Sequence, residues 1–205
     1  MILKLPEHYN ANEWFVNIVL VFLSLVFACL PKKLPIHQIV LTMLFNIMIG
    51  KMADKVLGIK YPYDLYDTMD TPKYDLYDFL IYTVIYGIYG YIFAHFFVRF
   101  ELKHKSAALL SYLLMWVGMS VFFERLAVVF EVFQYKSWNL AFSALAYFIF
   151  YSLQTFFFLI VDYYTKKGSS LAKLEGQQLR SIERKIPPRL IWWTRRGERS
   201  VTSKL

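Results

Sequence analysis

Apolar residues occur in long runs along this chain, separated by short polar segments. The first run, WFVNIVLVFLSLVFACL at 14–30, has no charged residue over 17 positions, which in a helix spans about 25 Å. Four further runs follow, so the pattern predicts an all-α, polytopic transmembrane helical bundle of about five spans. The predicted spans are residues 14–30, 36–57, 79–98, 106–123 and 140–161.

Proline and glycine mark several of the predicted helix ends. Pro31 ends the first helix, because the residue before a proline avoids the α region. Pro35 suits the first turn of the second helix and Gly58 its end. Thr71 followed by Pro72 is typical of an N-cap and a first helical position, which predicts the start of the third helix.

The first run has an alternative interpretation as a cleaved signal peptide, since Cys29 follows a small residue. The segment before the run carries one lysine against two glutamates, and Phe27 is too bulky for a small-residue cleavage site. We therefore interpret the run as a span. Cys29 is the only cysteine, so no disulfide can form within the chain.

Composition excludes a disordered chain and disfavours a soluble globule. Hydrophobic residues make up 58% of the sequence and charged residues only 19%. The net charge of +8 would raise the question of nucleic acid in a soluble protein, but 11 of the 23 Lys and Arg residues follow Asp162. The excess charge therefore belongs to a tail beside a membrane, where anionic lipid is the nearest partner, and nucleic acid is not predicted as one.

The distribution of basic residues also predicts orientation. With five spans, 16 Lys and Arg residues fall on the side of the C-terminal tail and 7 on the opposite side. The positive-inside rule then places the N-terminus outside and the C-terminus in the cytoplasm.

The chain is predicted to divide into a transmembrane domain, residues 1–165, and a basic cytoplasmic tail, residues 166–205. In the tail, leucine and isoleucine recur at helical spacing among basic residues, the pattern of a basic amphipathic helix on anionic lipid. Tryptophans between arginines follow, which suits interfacial anchoring. The predicted lipid-contacting residues are Lys173, Arg180, Arg184, Lys185, Trp192, Trp193, Arg195 and Arg196.

The pentapeptide YDLYD occurs twice, at 63–67 and 74–78. Each copy holds two aspartates three residues apart, and paired carboxylates of this type bind hard cations. The sequence therefore allows an alternative in which the chain is a lipid-modifying membrane enzyme that uses the aspartates Asp64, Asp67, Asp75 and Asp78. The favoured interpretation is a solvated external loop, with the first copy in the loop and the second on the first turns of the third helix.

Glu124, Arg125 and His95 form a candidate intramembrane or interfacial polar site, because ionisable groups at membrane depth are costly and often functional. In one interpretation Glu124 titrates in a proton or ion pathway. In the other, which we favour, Glu124 and Arg125 lie at the external headgroup level and residues 126–133 form an interfacial or re-entrant segment. The sequence has no HExxH motif and no cysteine pair, so we predict no catalytic residue, metal site or cofactor.

Spaced residues in the last third of the spans resemble a family of uncharacterised small multi-pass membrane proteins of spore-forming Gram-positive bacteria. These residues are Glu124, Tyr135, Trp138, Asn139, Ser143 and Tyr147. The resemblance implies a location in a bacterial cytoplasmic membrane and supplies no activity. The doubled YDLYD and the basic tail depart from the family pattern.

The sequence therefore predicts a non-enzymatic accessory or interaction protein of a bacterial cytoplasmic membrane, whose tail contacts anionic lipid or a cytosolic partner. A membrane protein partner or a homo-oligomer is also compatible with it. Two alternatives remain: a small transporter or channel-like oligomer that uses Glu124, and a membrane enzyme that uses the loop aspartates.

Overall fold

Five long helices make up most of the computed structural model, which describes residues 9–58, 63–69 and 76–185. The all-α fold class is thereby confirmed. Each helix is long enough and apolar enough to cross a membrane, judged by length and composition. The helices are α1 (Ala11–Cys29), α2 (Ile36–Leu57), α3 (Leu76–Arg99), α4 (Ser106–Val129) and α5 (Leu140–Lys185).

Several helix ends agree with the local signals in the sequence. The first helix ends at Cys29, two residues before Pro31, and the second begins directly after Pro35. Gly58 follows the last residue of α2 as predicted. The predicted start of α3 at Thr71 and Pro72 lies outside the described residues.

The third helix is the most buried of the five. Its α-helical parts, Leu76–Phe79 and Tyr86–Arg99, flank a π-helical segment, Leu80–Ile85. Gly90 gives α2 a close approach, because a side chain at this position would collide with the Asn46 amide. The same face of α3 therefore serves as the contact surface for α2.

Two short strands lie outside the helices, β1 (Tyr66–Thr68) and β2 (Phe133–Tyr135). They pair antiparallel, with Tyr66 opposite Tyr135 and Thr68 opposite Phe133. The prediction that the first YDLYD copy lies entirely in a loop is therefore wrong, because its last two residues belong to β1. Backbone pairing with β2 supplies the hydrogen bonds that the copy cannot make alone.

The fourth helix extends to Val129, beyond the predicted membrane span of residues 106–123. Glu131 adopts the left-handed conformation with φ of 60°, and the Val132 N–H donates to the Ala127 carbonyl at 2.8 Å. This is the Schellman type of helix end, which turns the chain from α4 into β2. Residues 126–133, predicted to form an interfacial or re-entrant segment, comprise the last helical turn, this reversal and the first residue of β2.

Two compact units divide the chain, one ending at Val161 and the other beginning at Asp162. In the second unit, the described helix includes Lys173 and Arg180 and exposes Leu171, Leu174 and Leu179. Trp192, Trp193, Arg195 and Arg196 lie outside the described residues.

In the first unit, large apolar side chains lie on the outside, and polar side chains share the interior with a hydrophobic core. Large apolar side chains are exposed on α1, α2, α4 and α5, for example Ile18, Leu44, Leu114 and Phe156 at 55% to 65% exposure. Buried positions include polar side chains from all five helices: Asn12, Glu13, Gln38, Thr42, Asn46, Asp78, His95, Ser120, Glu124, Ser143, Gln154 and Thr155. Aromatic rings fill the space between them, with Phe93 stacked on Tyr151 at 5.0 Å between centroids.

Candidate functional site

Glu124 lies on the buried face of α4, where only 7% of the residue is exposed. Tyr112, Trp116 and Ser120 precede it at four-residue intervals and are buried as well, so helical periodicity carries Glu124 to the interior. Glu124 therefore lies inside the protein and not on its solvated surface, and its placement at the external headgroup level stays a prediction. Its burial requires hydrogen-bond partners, since an unpaired buried carboxylate is costly.

Hydroxyl groups provide these partners. The Ser143 hydroxyl donates to Glu124 Oε1 at 2.6 Å, and the Tyr135 hydroxyl donates to the same oxygen. The Trp138 indole N–H donates in turn to Ser143 Oγ at 2.7 Å. Tyr147, one turn after Ser143, lies near the same carboxylate. Glu124 thus fastens α4 to β2 and to the first turns of α5.

The segment between β2 and α5 positions these donors. Backbone N–H groups of Lys136, Ser137 and Trp138 all donate to the Leu65 carbonyl at 2.9 to 3.2 Å. Asn139 then caps α5, because its side-chain oxygen accepts the N–H groups of Ala141 and Phe142. Ser143 follows one turn later, which places its hydroxyl beside Glu124.

Arg125 and His95 do not join this cluster. Arg125 is exposed and forms no ion pair with Glu124 within the described part of the chain. His95 is buried on α3, and the charges that act on its ring are those of Lys33, Arg99 and Lys32. The predicted triplet therefore does not form one site, and only Glu124 of its members belongs to the hydroxyl cluster.

A second carboxylate lies in the same region and was missed by sequence reasoning. Asp54, in the last turns of α2, accepts a 2.5 Å hydrogen bond from the Tyr82 hydroxyl on the π-helical part of α3. The Tyr82 hydroxyl also lies 3.3 Å from Thr68 Oγ1 on β1. Nothing in the apolar pattern distinguishes Asp54 from an ordinary polar residue at a helix end.

Tyr66 lies between Asp54 and the residues that surround Glu124. Its hydroxyl lies 3.5 Å from Asp54 Oδ1, and its ring packs against Phe133 and Trp138. Burial, followed by the negative charges of Asp54 and Glu124 among others, raises the pKa of Tyr66 above its ordinary value. Burial and the adjacent Glu124 likewise raise the pKa of Tyr135. Both phenols therefore remain protonated donors across the physiological pH range.

We call this set the carboxylate–tyrosine cluster: Glu124, Asp54, Tyr66, Tyr82, Tyr135, Trp138, Ser143 and Tyr147. Further polar contacts follow along the interior, where Ser120 Oγ lies 2.5 Å from the Tyr151 hydroxyl and 3.1 Å from the Tyr89 hydroxyl.

The aspartates of the first YDLYD copy bind a lysine. Asp64 and Asp67 each contact Lys136 Nζ at 2.9 Å on the exposed side of the strand pair. These two hydrogen bonds raise the pKa of Lys136. Asp78 is buried at the start of α3, and Asp75 lies outside the described residues. Among residues 9–58, 63–69 and 76–185, no three His, Cys, Asp or Glu side chains are grouped to hold a metal ion.

Comparison with known protein families, curated proteins and solved structures gives no match to this chain.

Proposed function

We propose that the chain is an integral membrane protein with five spans, because large apolar side chains cover the outside of its long helices. Apolar side chains such as Ile18, Leu114 and Phe156 are largely exposed, and a lipid environment covers them without cost. Polar groups such as Glu124, Asn46 and Gln154 are buried between helices, as expected for polar residues inside a membrane. The exposed apolar surface of the helices is the observation that carries the proposal.

Within the membrane, the proposed role is non-enzymatic: an accessory or interaction protein whose basic tail contacts anionic lipid or a cytosolic partner. Two features favour it. In the carboxylate–tyrosine cluster, hydrogen bonds to Glu124 link α4 to β2 and α5. The paired aspartates Asp64 and Asp67 form ion pairs with Lys136. In the second unit, Leu171 and Leu174 are exposed beside Lys173 on one helix, a composition suited to a surface partner. A bacterial cytoplasmic membrane is the proposed location, following the family resemblance.

The test combines topology with partner capture. A reporter fused after Leu205 should report the cytoplasm, and one inserted at Met69 should report the exterior, because basic residues are retained inside. Reporters on the same side would contradict five spans. Co-purification from native membranes should then recover a protein or lipid that is lost when Lys173 and Arg180 are replaced by glutamine. Equal recovery from both forms would contradict a tail-mediated interaction.

A transport function is the second candidate, favoured by the burial of Glu124 among hydroxyl groups. Ionisable side chains buried between membrane-spanning helices often belong to ion or proton pathways. The distinguishing measurement is proton or ion flux in vesicles that contain the purified protein. Flux that is present in the wild type and lost in a folded Glu124→Gln variant would establish transport and remove the accessory proposal. We expect no flux in either form.

A further inference from the structure

Two adjacent serines lie on the exposed helix of the second unit. Ser169 and Ser170 are both exposed. Each hydroxyl donates to a carbonyl one turn earlier in the same helix, that of Thr165 at 2.9 Å and that of Lys166 at 3.0 Å. A hydroxyl that donates its proton in this way keeps its oxygen lone pairs. Both serines therefore present a nucleophilic oxygen at the surface of the protein.

Lysines lie on both sides of this pair. Lys166 precedes Ser169 by three residues and Ser170 by four, and Lys173 follows them by four and three residues. Lys167 precedes Ser170 by three residues. Residues three or four apart on a helix are neighbours, with about 5–6 Å between their Cβ atoms. A phosphate group on either serine would therefore have cations one turn before it and one turn after it.

The helix around the serines is easily opened. Gly168 and Gly176 lie before and after the pair, and a Cβ atom added at either would meet no packed neighbour within 4 Å. A glycine inside a helix costs about 1 kcal/mol relative to alanine. All side chains from 166 to 175 are exposed, so no tertiary packing holds this part of the helix closed. An enzyme can therefore extend the chain around the serines into its active site.

Ser106 also follows lysines but lacks this access. It is preceded by Lys103 and Lys105 and is the first residue of α4. The apolar run of α4 begins directly after it, so in the proposed membrane the chain on that side cannot extend into the active site of a soluble enzyme. Basic neighbours alone therefore do not distinguish the serines, whereas basic neighbours combined with an exposed, unpacked helix do.

We propose that Ser169 and Ser170 are phosphorylation sites for a kinase that recognises basic residues before its target serine, and that phosphorylation releases the tail from anionic lipid. In the reaction, the serine oxygen bonds to the γ-phosphorus of ATP and the bond from that phosphorus to the bridging oxygen breaks. ADP leaves, and the hydroxyl proton passes to a base of the kinase. The release rests on the lipid contact of the proposed function, and the modification itself does not.

The charge of a phosphate is large enough for this effect. Residues 162–185 hold six basic and three acidic side chains, a net charge of +3. One basic side chain, Lys166, already forms an ion pair with Asp162 at 2.8 Å. Each phosphate adds a charge of about −1.5 to −2 at pH 7, so two phosphates cancel or reverse the charge of the segment. Anionic lipid then no longer attracts it.

Phosphopeptide mapping tests the modification. The full-length protein is purified from native membranes with phosphatase inhibitors and compared with a phosphatase-treated sample. We expect phosphate on Ser169, Ser170 or both, and none on Ser106 or Ser111. Ser111 is the matched control, because its exposed hydroxyl donates to the carbonyl of Ala107 in the same way, but within the apolar run of α4. The absence of phosphate from both tail serines under every growth condition sampled would overturn the proposal, as would equal phosphate on Ser106.

Amide hydrogen exchange of the full-length protein in lipid nanodiscs tests the release. In the wild type, amides of residues 166–181 should exchange about tenfold more slowly in phosphatidylglycerol discs than in phosphatidylcholine discs, because anionic lipid holds the helix. Ser169→Asp combined with Ser170→Asp should lose most of this difference. The corresponding pair of alanine substitutions should retain it. Slow exchange that persists in the aspartate variant would overturn the release.

Failure of the proposed function gives a different result. Equal exchange of the wild type in both kinds of disc would contradict the lipid contact and the release together, and mapping would still decide whether the serines are modified. A lipid contact that is present in the wild type and unchanged in the aspartate variant would overturn the release alone.

Discussion

At Glu124, two substitutions separate the loss of charge from the loss of a hydrogen-bond acceptor. Glu124→Gln retains an oxygen that can accept from Ser143 and Tyr135, whereas Glu124→Ala removes the shared acceptor of both hydroxyls. We expect the alanine variant to be less stable than the glutamine variant by about 2–3 kcal/mol, the cost of leaving buried donors unsatisfied. Thermal unfolding in detergent measures the difference.

Arg125→Ala is the control for Glu124, because Arg125 is its exposed neighbour on the same helix. Its effect should stay within about 0.5 kcal/mol. Equal stability of the alanine and glutamine variants at position 124 would mean that the cluster contributes nothing to folding through this acceptor.

Tyr135 is expected to make the stability of the folded protein depend on pH in the alkaline range. Burial and Glu124 raise its pKa in the folded protein, so its contribution to stability is full below the ordinary tyrosine pKa of about 10 and is lost as pH rises further. Tyr135→Phe should therefore show a smaller fall in melting temperature between about pH 9 and pH 11 than the wild type. Tyr63→Phe, at an exposed tyrosine in the same region, should follow the wild type.

Among the elements, the contact between α2 and α3 depends on Gly90. A Cβ atom there would overlap the Asn46 amide, which cannot move freely because it donates to the Thr42 carbonyl at 2.7 Å. We expect Gly90→Ala to destabilise the protein by about 1–3 kcal/mol, the usual cost of overpacking. The matched control is Gly118→Ala on α4, where no atom lies within 4 Å of the added carbon. An equal melting temperature for both variants would contradict this packing.

The elements also show what the sequence can predict. Apolar runs and the signals at Pro31, Pro35 and Gly58 were sufficient for the helices, because these signals act over a few residues. The strand pair was not predictable, since Tyr66 meets Tyr135 only after four helices have been arranged. The two YDLYD copies have the same local sequence, yet one contributes to a strand and the other to a helix. Tertiary pairing decides between them.

The site was harder to predict than the helices for a related reason. The fourth helix is apolar around most of its circumference, so its sequence does not indicate which face is buried, and Glu124 could not be assigned to the interior. Asp54 and Tyr82 come from different helices, and their contact depends on the approach of α2 to α3. Such contacts follow from packing rather than from spacing along the chain.

For the whole molecule, the proposed placement in a membrane puts the two ends of the helical bundle on opposite sides of the membrane. The carboxylate–tyrosine cluster would lie toward the exterior, where β1 and β2 close the bundle. Lys32, Lys33 and Arg99 would lie toward the cytoplasm, on the same side as the tail. The surplus of basic residues on that side would then set the orientation and attract anionic lipid.

The tail offers the final test of this arrangement. Replacing Lys173, Arg180, Arg184 and Lys185 by glutamine should weaken binding of a 166–205 peptide to anionic vesicles by about 1 kcal/mol per residue, because each basic side chain near the surface contributes about that much. Replacing Gln177 and Gln178 by alanine is the control and should leave binding unchanged. Raising the salt concentration should weaken the wild-type peptide more than the glutamine variant, since salt screens the charges that the variant lacks. Equal binding of both peptides, or equal binding to neutral vesicles, would show that apolar side chains such as Leu171 and Leu174 provide the affinity instead.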